Sequence, residues 1–282
     1  MKLIHVDLYD YFGKPRPAAG AGYLSCYLPS EVQHPGFKRL RPAILVLPGG
    51  GYGGVSDREA EPVALRFLTK GYGAFVLNYS VAPVRFPHAL REAAMAMRYI
   101  RENAAELGII KNMVAATGFS AGGHLCGTLG MMFDAPELQD IAPAEMVRPD
   151  ALGLCYPVAV SWGRTHEGSF QNLCGDDEAL WQRLSLDRLV RKDMPPIFLW
   201  HTRDDGAVPC RNSLILAQAM EEMDIPFVLH IYRSGQHGLS TADEQVYPVK
   251  GVPHVSHGTV GWLEAEMEFF REMGIFVRDL EV

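Results

Sequence analysis

The sequence has no apolar run long enough to cross a membrane or to form the hydrophobic part of a secretory leader. Its opening stretch, MKLIHVDLYD, holds no more than two consecutive apolar residues. A cytoplasmic protein without a membrane partner is therefore expected. Excess positive charge is also missing: 26 Lys and Arg stand against 33 Asp and Glu, a net charge of −7. Such a surface offers nothing to nucleic-acid phosphates or anionic lipid, and it mildly disfavours acidic substrates. Cysteine is sparse. Cys26, Cys126, Cys155, Cys174 and Cys210 are odd in number and contain no CxxC pair, which points to reduced thiols. Cys126 and Cys155 fall in apolar runs and read as small core residues. With no HExxH and no Cys/His cluster, nothing suggests a zinc site. Internal repeats, low-complexity tracts and dividing linkers are absent too, so one domain spanning residues 1–282 is expected.

What the chain does have is apolar residues, 48% of the total against 21% charged, enough for a sizeable core. Six short runs rich in β-branched and apolar residues read as buried strands: 43–47, 74–78, 113–117, 152–157, 197–201 and 228–232. Two more, 3–9 and 22–28, look like an antiparallel edge. Between the runs the period becomes helical. Ala93, Met97, Ile100 and Ala104 share a face, with Pro87 placed to open the helix. Leu216, Met220 and Met223 form a second face, and Val260, Leu263, Met267 and Phe270 a third. Alternating strands and helices predict an α/β fold. Its mostly parallel central sheet carries helices on both faces and binds ligands at the carboxyl ends of the strands. Residues 134–149 and 161–192 are irregular and are expected as short insertions over the site; Tyr52, Trp162 and the first of these are candidates to shape a substrate pocket.

Gly118-Phe119-Ser120-Ala121-Gly122 is a GxSxG sequence between an apolar strand and a helix-compatible run. That setting suits a serine nucleophile on a sharp strand-to-helix turn, where the helix N-terminus aims free N–H groups at the reacting centre. The loop after the first core strand reads PGGGYGG, residues 48–54. Glycines there let main-chain amides face a developing oxyanion. Gly50, Gly51 and Ala121 are the expected donors, with a shift of register to Tyr52 left open. Two nucleotide-binding patterns fail: His124 stands where GxxxxGK needs lysine, and the strand after Gly49, Gly51 and Gly54 ends at Asn78-Tyr79 without an acidic residue.

Where a nucleophile sits on such a turn, the acid and base follow it in that order. Residues 197–201 run into Thr202-Arg203-Asp204-Asp205. Asp205 is favoured as the acid, with Asp204 solvated or capping the turn. His237, in Ser234-Gly235-Gln236-His237-Gly238, follows the last strand in a turn able to aim an imidazole at Ser120. His254 and His257 are rivals farther along, while His124 and His201 read as hydrogen-bonded packing residues.

Five blocks in order, LPGGGYGGVSDREAEPVA, FVLNYSVAP, GFSAGGHL, PPIFLWHTRDDGAVP and HIYRSGQHGL, resemble the bacterial acetyl esterase and acetyl-xylan or feruloyl esterase-like branch of the α/β-hydrolases. The resemblance implies Ser120 as nucleophile, Asp205 as acid, His237 as base, the loop glycines with Ala121 as oxyanion site, and no cofactor. It departs at Pro48, which replaces the histidine of the HGGG loop in lipase-like relatives. The implied activity is hydrolysis of short acyl, chiefly acetyl, esters through an acyl-enzyme, with acetylated sugars or xylo-oligosaccharides as small-molecule substrates. A prolyl-oligopeptidase-like peptidase and a catalytically inactive binding module are the alternatives. Oligomeric state stays open, with a homodimer the commonest closed arrangement.

Overall fold

The computed structural model describes residues 1–31, 36–246, 259 and 261–281. Nine strands occur among them: β1 (Lys2–Asp7), β2 (Tyr23–Leu28), β3 (Phe37–Leu47), β4 (Gly73–Asn78), β5 (Ile109–Phe119), β6 (Leu152–Cys155), β7 (Ile197–Thr202), β8 (Phe227–Tyr232) and β9 (Arg278–Glu281). Eight lie side by side in the order β1-β2-β4-β3-β5-β6-β7-β8. The β1–β2 and β2–β4 pairs are antiparallel and the remaining pairs along this path are parallel. The expected antiparallel edge and parallel centre are both present.

In β3, Ala43, Leu45 and Leu47 face one core while Ile44 and Val46 face the other. A strand covered on both faces needs both alternations to be apolar, which is why these strands read as unbroken runs. The helices are α1 (Leu8–Phe12), α2 (Glu61–Thr69), α3 (His88–Glu102), α4 (Ala104–Leu107), α5 (Ala121–Met131), α6 (Ala144–Val147), α7 (Glu167–Cys174), α8 (Glu178–Arg183), α9 (Leu186–Leu189), α10 (Arg211–Glu222) and α11 (Trp262–Glu272). Those supplying Leu90, Ala93, Leu125, Leu216 and Met220 (α3, α5 and α10) cover one face. The other is covered by α2 and α11, through Val63, Phe67, Trp262 and Phe270.

Several expectations need correction. Residues 8 and 9 leave the edge strand for α1, because the Asp7 side chain accepts the Tyr9 and Asp10 N–H groups and caps a helix there. Ala104 starts a separate helix after Asn103, and Met223 follows the end of α10. β6 stops at Cys155, since Tyr156 turns to φ 39°. The buried face of α11 comprises Trp262, Leu263, Glu266, Phe269 and Phe270; Met267 is half-buried and Val260 lies outside the described residues. β9, which pairs with the outer half of β3, had no recognisable signal.

Residues 134–149 pack along α3 instead of over Ser120. Arg91 and Arg98 donate to the Glu137 and Ile141 carbonyls. The cause is geometric: the eleven residues of α5 carry the chain away from Ser120 before this segment begins. Residues 161–192 do reach the site, but as α7, α8 and α9 rather than as irregular chain.

Candidate active site

Ser120 closes the turn between β5 and α5 with φ 53° and ψ −118°, a conformation costly for a side chain other than glycine. Its neighbours hold it there. The Ser120 N–H donates to the Cys155 carbonyl at 2.9 Å, and the Ser120 carbonyl accepts from Val158 N at 3.0 Å and His124 N at 3.1 Å. Gly122 is dictated by close approach: a Cβ there would stand 2.1 Å from the Leu47 oxygen and 2.3 Å from that of Pro48.

Asp205 follows β7, and His237 follows β8, as their positions in the chain suggested. His237 Nδ1 lies 2.7 Å from Asp205 Oδ2, and His237 Nε2 lies 2.8 Å from Ser120 Oγ. Burial alone would raise the Asp205 pKa, yet hydrogen bonds from His201 and His237 hold it well below the usual carboxylate range. Asp205 therefore acts as an acceptor. Its Oδ1 also accepts the Ala207 and Val208 N–H groups, each at 2.9 Å. An acceptor at Nδ1 requires that nitrogen to donate, which in the neutral ring leaves the Nε2 lone pair for the Ser120 hydroxyl. Asp204 does a different job: it accepts from Ser234 Oγ at 2.7 Å and Gly235 N at 2.8 Å, pinning the turn that carries His237.

The glycine loop between β3 and α2 is held through its carbonyls. Pro48 O accepts from the Tyr79 hydroxyl, Gly49 O from Ser56 N, Gly50 O from Gly53 N and Gly54 N, and Gly51 O from Asn172 Nδ2. In a trans peptide the N–H points opposite to the carbonyl. Fixing the last three carbonyls thus orients the amides of Gly50, Gly51 and Tyr52, none of which meets an acceptor among the described residues. The Ala121 amide, at the first turn of α5, is likewise free among those residues. Gly50, at φ 132°, has no room for a Cβ, which would lie 2.1 Å from the Gly54 oxygen. Both registers considered for the donor pair remain compatible with this loop.

Tyr52, also left-handed at φ 55°, is buried and meets His124 Nδ1 through its hydroxyl at 2.9 Å. His124 Nε2 donates to the Leu184 carbonyl at 2.8 Å, so Nδ1 accepts from Tyr52. Burial lowers the His124 pKa to about 4. Pro48 cannot brace the loop as a histidine would; Tyr52, His124 and Tyr79 do so from within. His201 is satisfied by Ser213 Oγ and the Val208 carbonyl, each at 2.8 Å. Trp162 is exposed, its indole N–H donating to Asp187. His254 and His257 lie outside the described residues. Among the described residues no group of three His, Cys, Asp or Glu is arranged to hold a metal ion. Glu59, Tyr156 and Asn172 belong to this site and had no assigned role in the sequence. Glu59 lies in the DREAEPVA block, whereas Asn172 has no local signal at all.

This sheet, with a serine, histidine and aspartate in hydrogen-bonded sequence at the carboxyl ends of its strands, defines a hydrolase of the α/β-hydrolase type. The chain matches the BD-FAE family over residues 24–149 and the prolyl oligopeptidase family over residues 94–252. It is 36% identical to endo-1,4-beta-xylanase B of Butyrivibrio fibrisolvens over 73% of this chain and 34% of that one. With the acetylxylan esterase of Xylanibacter ruminicola the identity is 32%, over 78% of this chain and 44% of the other. The chain thus spans only about a third to a half of the length of these curated relatives. The acetyl ester-xyloside bifunctional hydrolase of Caldicellulosiruptor lactoaceticus superposes with a TM-score of 0.78 at 37% identity, covering 90% of this chain and 89% of that one. The chain belongs to the α/β-hydrolase esterase family.

Proposed function

We propose that the chain is a serine carboxylesterase that hydrolyses short-chain acyl esters, with acetyl esters of sugars or xylo-oligosaccharides as its substrates. The observation that carries this reading is the continuous line from Asp205 through His237 to Ser120, beside amides that have no acceptor among the described residues. His237 Nε2 takes the Ser120 proton as Oγ attacks the ester carbonyl. The Gly50, Gly51 and Ala121 amides stabilise the resulting oxyanion, a contribution of about 3 kcal/mol per donor. Collapse expels the alcohol, which collects the proton from His237 and leaves an acyl-serine. Water, deprotonated by the same imidazole, then releases the carboxylic acid. Asp205 keeps the ring in the donating tautomer at Nδ1 throughout. No cofactor enters this sequence. Support for acetylated sugars comes from the names of the relatives, an acetylxylan esterase and an acetyl ester-xyloside hydrolase.

With p-nitrophenyl acetate the purified chain is expected to release a burst of nitrophenol equal to its active sites. Ser120→Ala is expected to remove both the burst and turnover, by at least about 10⁴-fold. Turnover by Ser120→Ala near that of the parent would refute the assignment. The prolyl oligopeptidase match over residues 94–252 favours a second reading, cleavage of peptide amides. A peptide p-nitroanilide compared with the corresponding ester separates the two: the esterase reading expects the ester to dominate, the peptidase reading expects efficient anilide cleavage.

A further inference from the structure

A buried carboxyl group outside the line of Ser120, His237 and Asp205 lies between the two loops on which the reaction depends. Glu59, in the short turn Asp57–Glu59, is 3% exposed. Its Oε2 accepts the Gly49 N–H at 2.8 Å, immediately before the acceptor-free amides. Its Oε1 accepts the Tyr156 hydroxyl at 2.7 Å. The Tyr156 oxygen in turn accepts the Ser240 N–H at 2.8 Å, in the turn that follows His237. The Tyr156 ring stands edge-on to the His237 imidazole, with centroids 5.1 Å apart and planes at 71°.

The same cluster concentrates backbone strain. Tyr156 has φ 39°, Ser240 φ 53° and Ala242 φ 55°, values that persist in residues with side chains only where the surroundings enforce them. The enforcement is visible. Ser240 Oγ donates to the Arg58 carbonyl, and Trp262 Nε1 donates to the Ser240 carbonyl at 2.9 Å. Two donors, an amide and a phenol, converge on Glu59, and a carboxyl group supplies two acceptor oxygens on one side chain. Glutamine has the same shape and only one acceptor oxygen. It would leave either the Gly49 N–H or the Tyr156 hydroxyl proton without its acceptor.

We infer that Glu59 is a positioning residue for the hydrolysis: through Gly49 it sets the glycine loop, and through Tyr156 and Ser240 it seats the His237 ring beside Ser120. The inference rests on the reading of Ser120 as nucleophile and His237 as base.

The test uses the full chain with Glu59→Gln, Tyr156→Phe, the double variant and Ser120→Ala, assayed on p-nitrophenyl acetate. Labelling of Ser120 to completion with a fluorophosphonate counts active sites whatever the acylation rate, so unfolded protein is removed from the comparison. Per active site, Glu59→Gln is expected to lower kcat by about 10- to 100-fold, the scale of a small misplacement of reacting groups, with KM changed by less than about threefold. Tyr156→Phe keeps the ring and lowers kcat in the same sense. The double variant should fall no more than about threefold below Glu59→Gln, because both changes cut one linkage. A kcat per active site within about twofold of the parent in either single variant, or a loss confined to KM or to the folded fraction, overturns the inference. Were Glu59→Gln not to fold, Tyr156→Phe carries the same test. Retained activity in Ser120→Ala overturns the mechanism itself, whereas its loss alongside unchanged Glu59→Gln and Tyr156→Phe rejects the positioning role alone.

Discussion

Asp204 and Asp205 are adjacent, chemically identical and equally available in the sequence, yet the fold gives them different work. Asp205 is almost fully buried and accepts from His237; Asp204 is exposed and holds the turn at Ser234 and Gly235. The difference arises in the turn after β7, which ends at Thr202: the Asp205 carboxylate faces His237 and the Ala207 and Val208 amides, while that of Asp204 faces Ser234 and Gly235. It predicts unequal consequences. Asp205→Asn should lower kcat/KM for an acetate ester by about 10⁴-fold, since an amide group turned toward Nδ1 selects the wrong tautomer. Asp204→Asn loosens one exposed turn and should cost less than about tenfold, the equivalent of one ordinary hydrogen bond. Steady-state kinetics of the two variants decide it. Equal losses would mean that the roles have been assigned wrongly.

At the scale of elements, the loop of residues 48–54 and helix α7 form one functional unit. The loop supplies the amides; α7 supplies Asn172, whose Nδ2 holds the Gly51 carbonyl at 2.9 Å. Asn172→Ala frees that peptide plane while leaving the sheet untouched. We expect kcat to fall about tenfold, the value of one hydrogen bond of roughly 1.4 kcal/mol, with the thermal midpoint little changed. Unchanged kcat would show that the loop keeps its shape without α7. The strand cores and the turn at Ser120 are legible in the sequence because their signals are local: an apolar run, a glycine pair, a strand followed by a helix. The buried stripe of α11 differs from the expected one because Glu266, a charged residue type, lies on it. Residues 134–149 lie along α3, a placement that irregular composition does not encode.

At the scale of the whole molecule, Glu266 is an ionisable residue set between helix and sheet. Its Oε1 accepts from Thr117 Oγ1 at 2.8 Å, and Oε2 is buried without a hydrogen-bond partner among the described residues. Burial pushes its pKa up to about 8, against a smaller opposing effect of the Thr117 hydroxyl. A pKa raised on folding means that the stabilising contribution is complete below the unfolded value of 4.5 and is lost as the pH rises through about 8. Parent stability should therefore decline across that window, by up to about 5 kcal/mol as an upper bound. Glu266→Gln cannot ionise and should flatten the decline. Urea unfolding of both proteins between pH 5 and pH 9 measures it, and parallel curves would exclude Glu266 as the cause.

The amino-acid sequence determined the alternation of strands and helices, the strained serine turn, the glycine loop and the order of Ser120, Asp205 and His237, because each is encoded by neighbours along the chain. Only the tertiary structure decided which side chains secure that machinery. Tyr156 reaches Glu59 across 97 residues, and Asn172 reaches Gly51 across 121. Such pairs are formed by the meeting of segments at the ends of different strands. Their partners are selected by packing and by the need to satisfy buried donors, which no local pattern records.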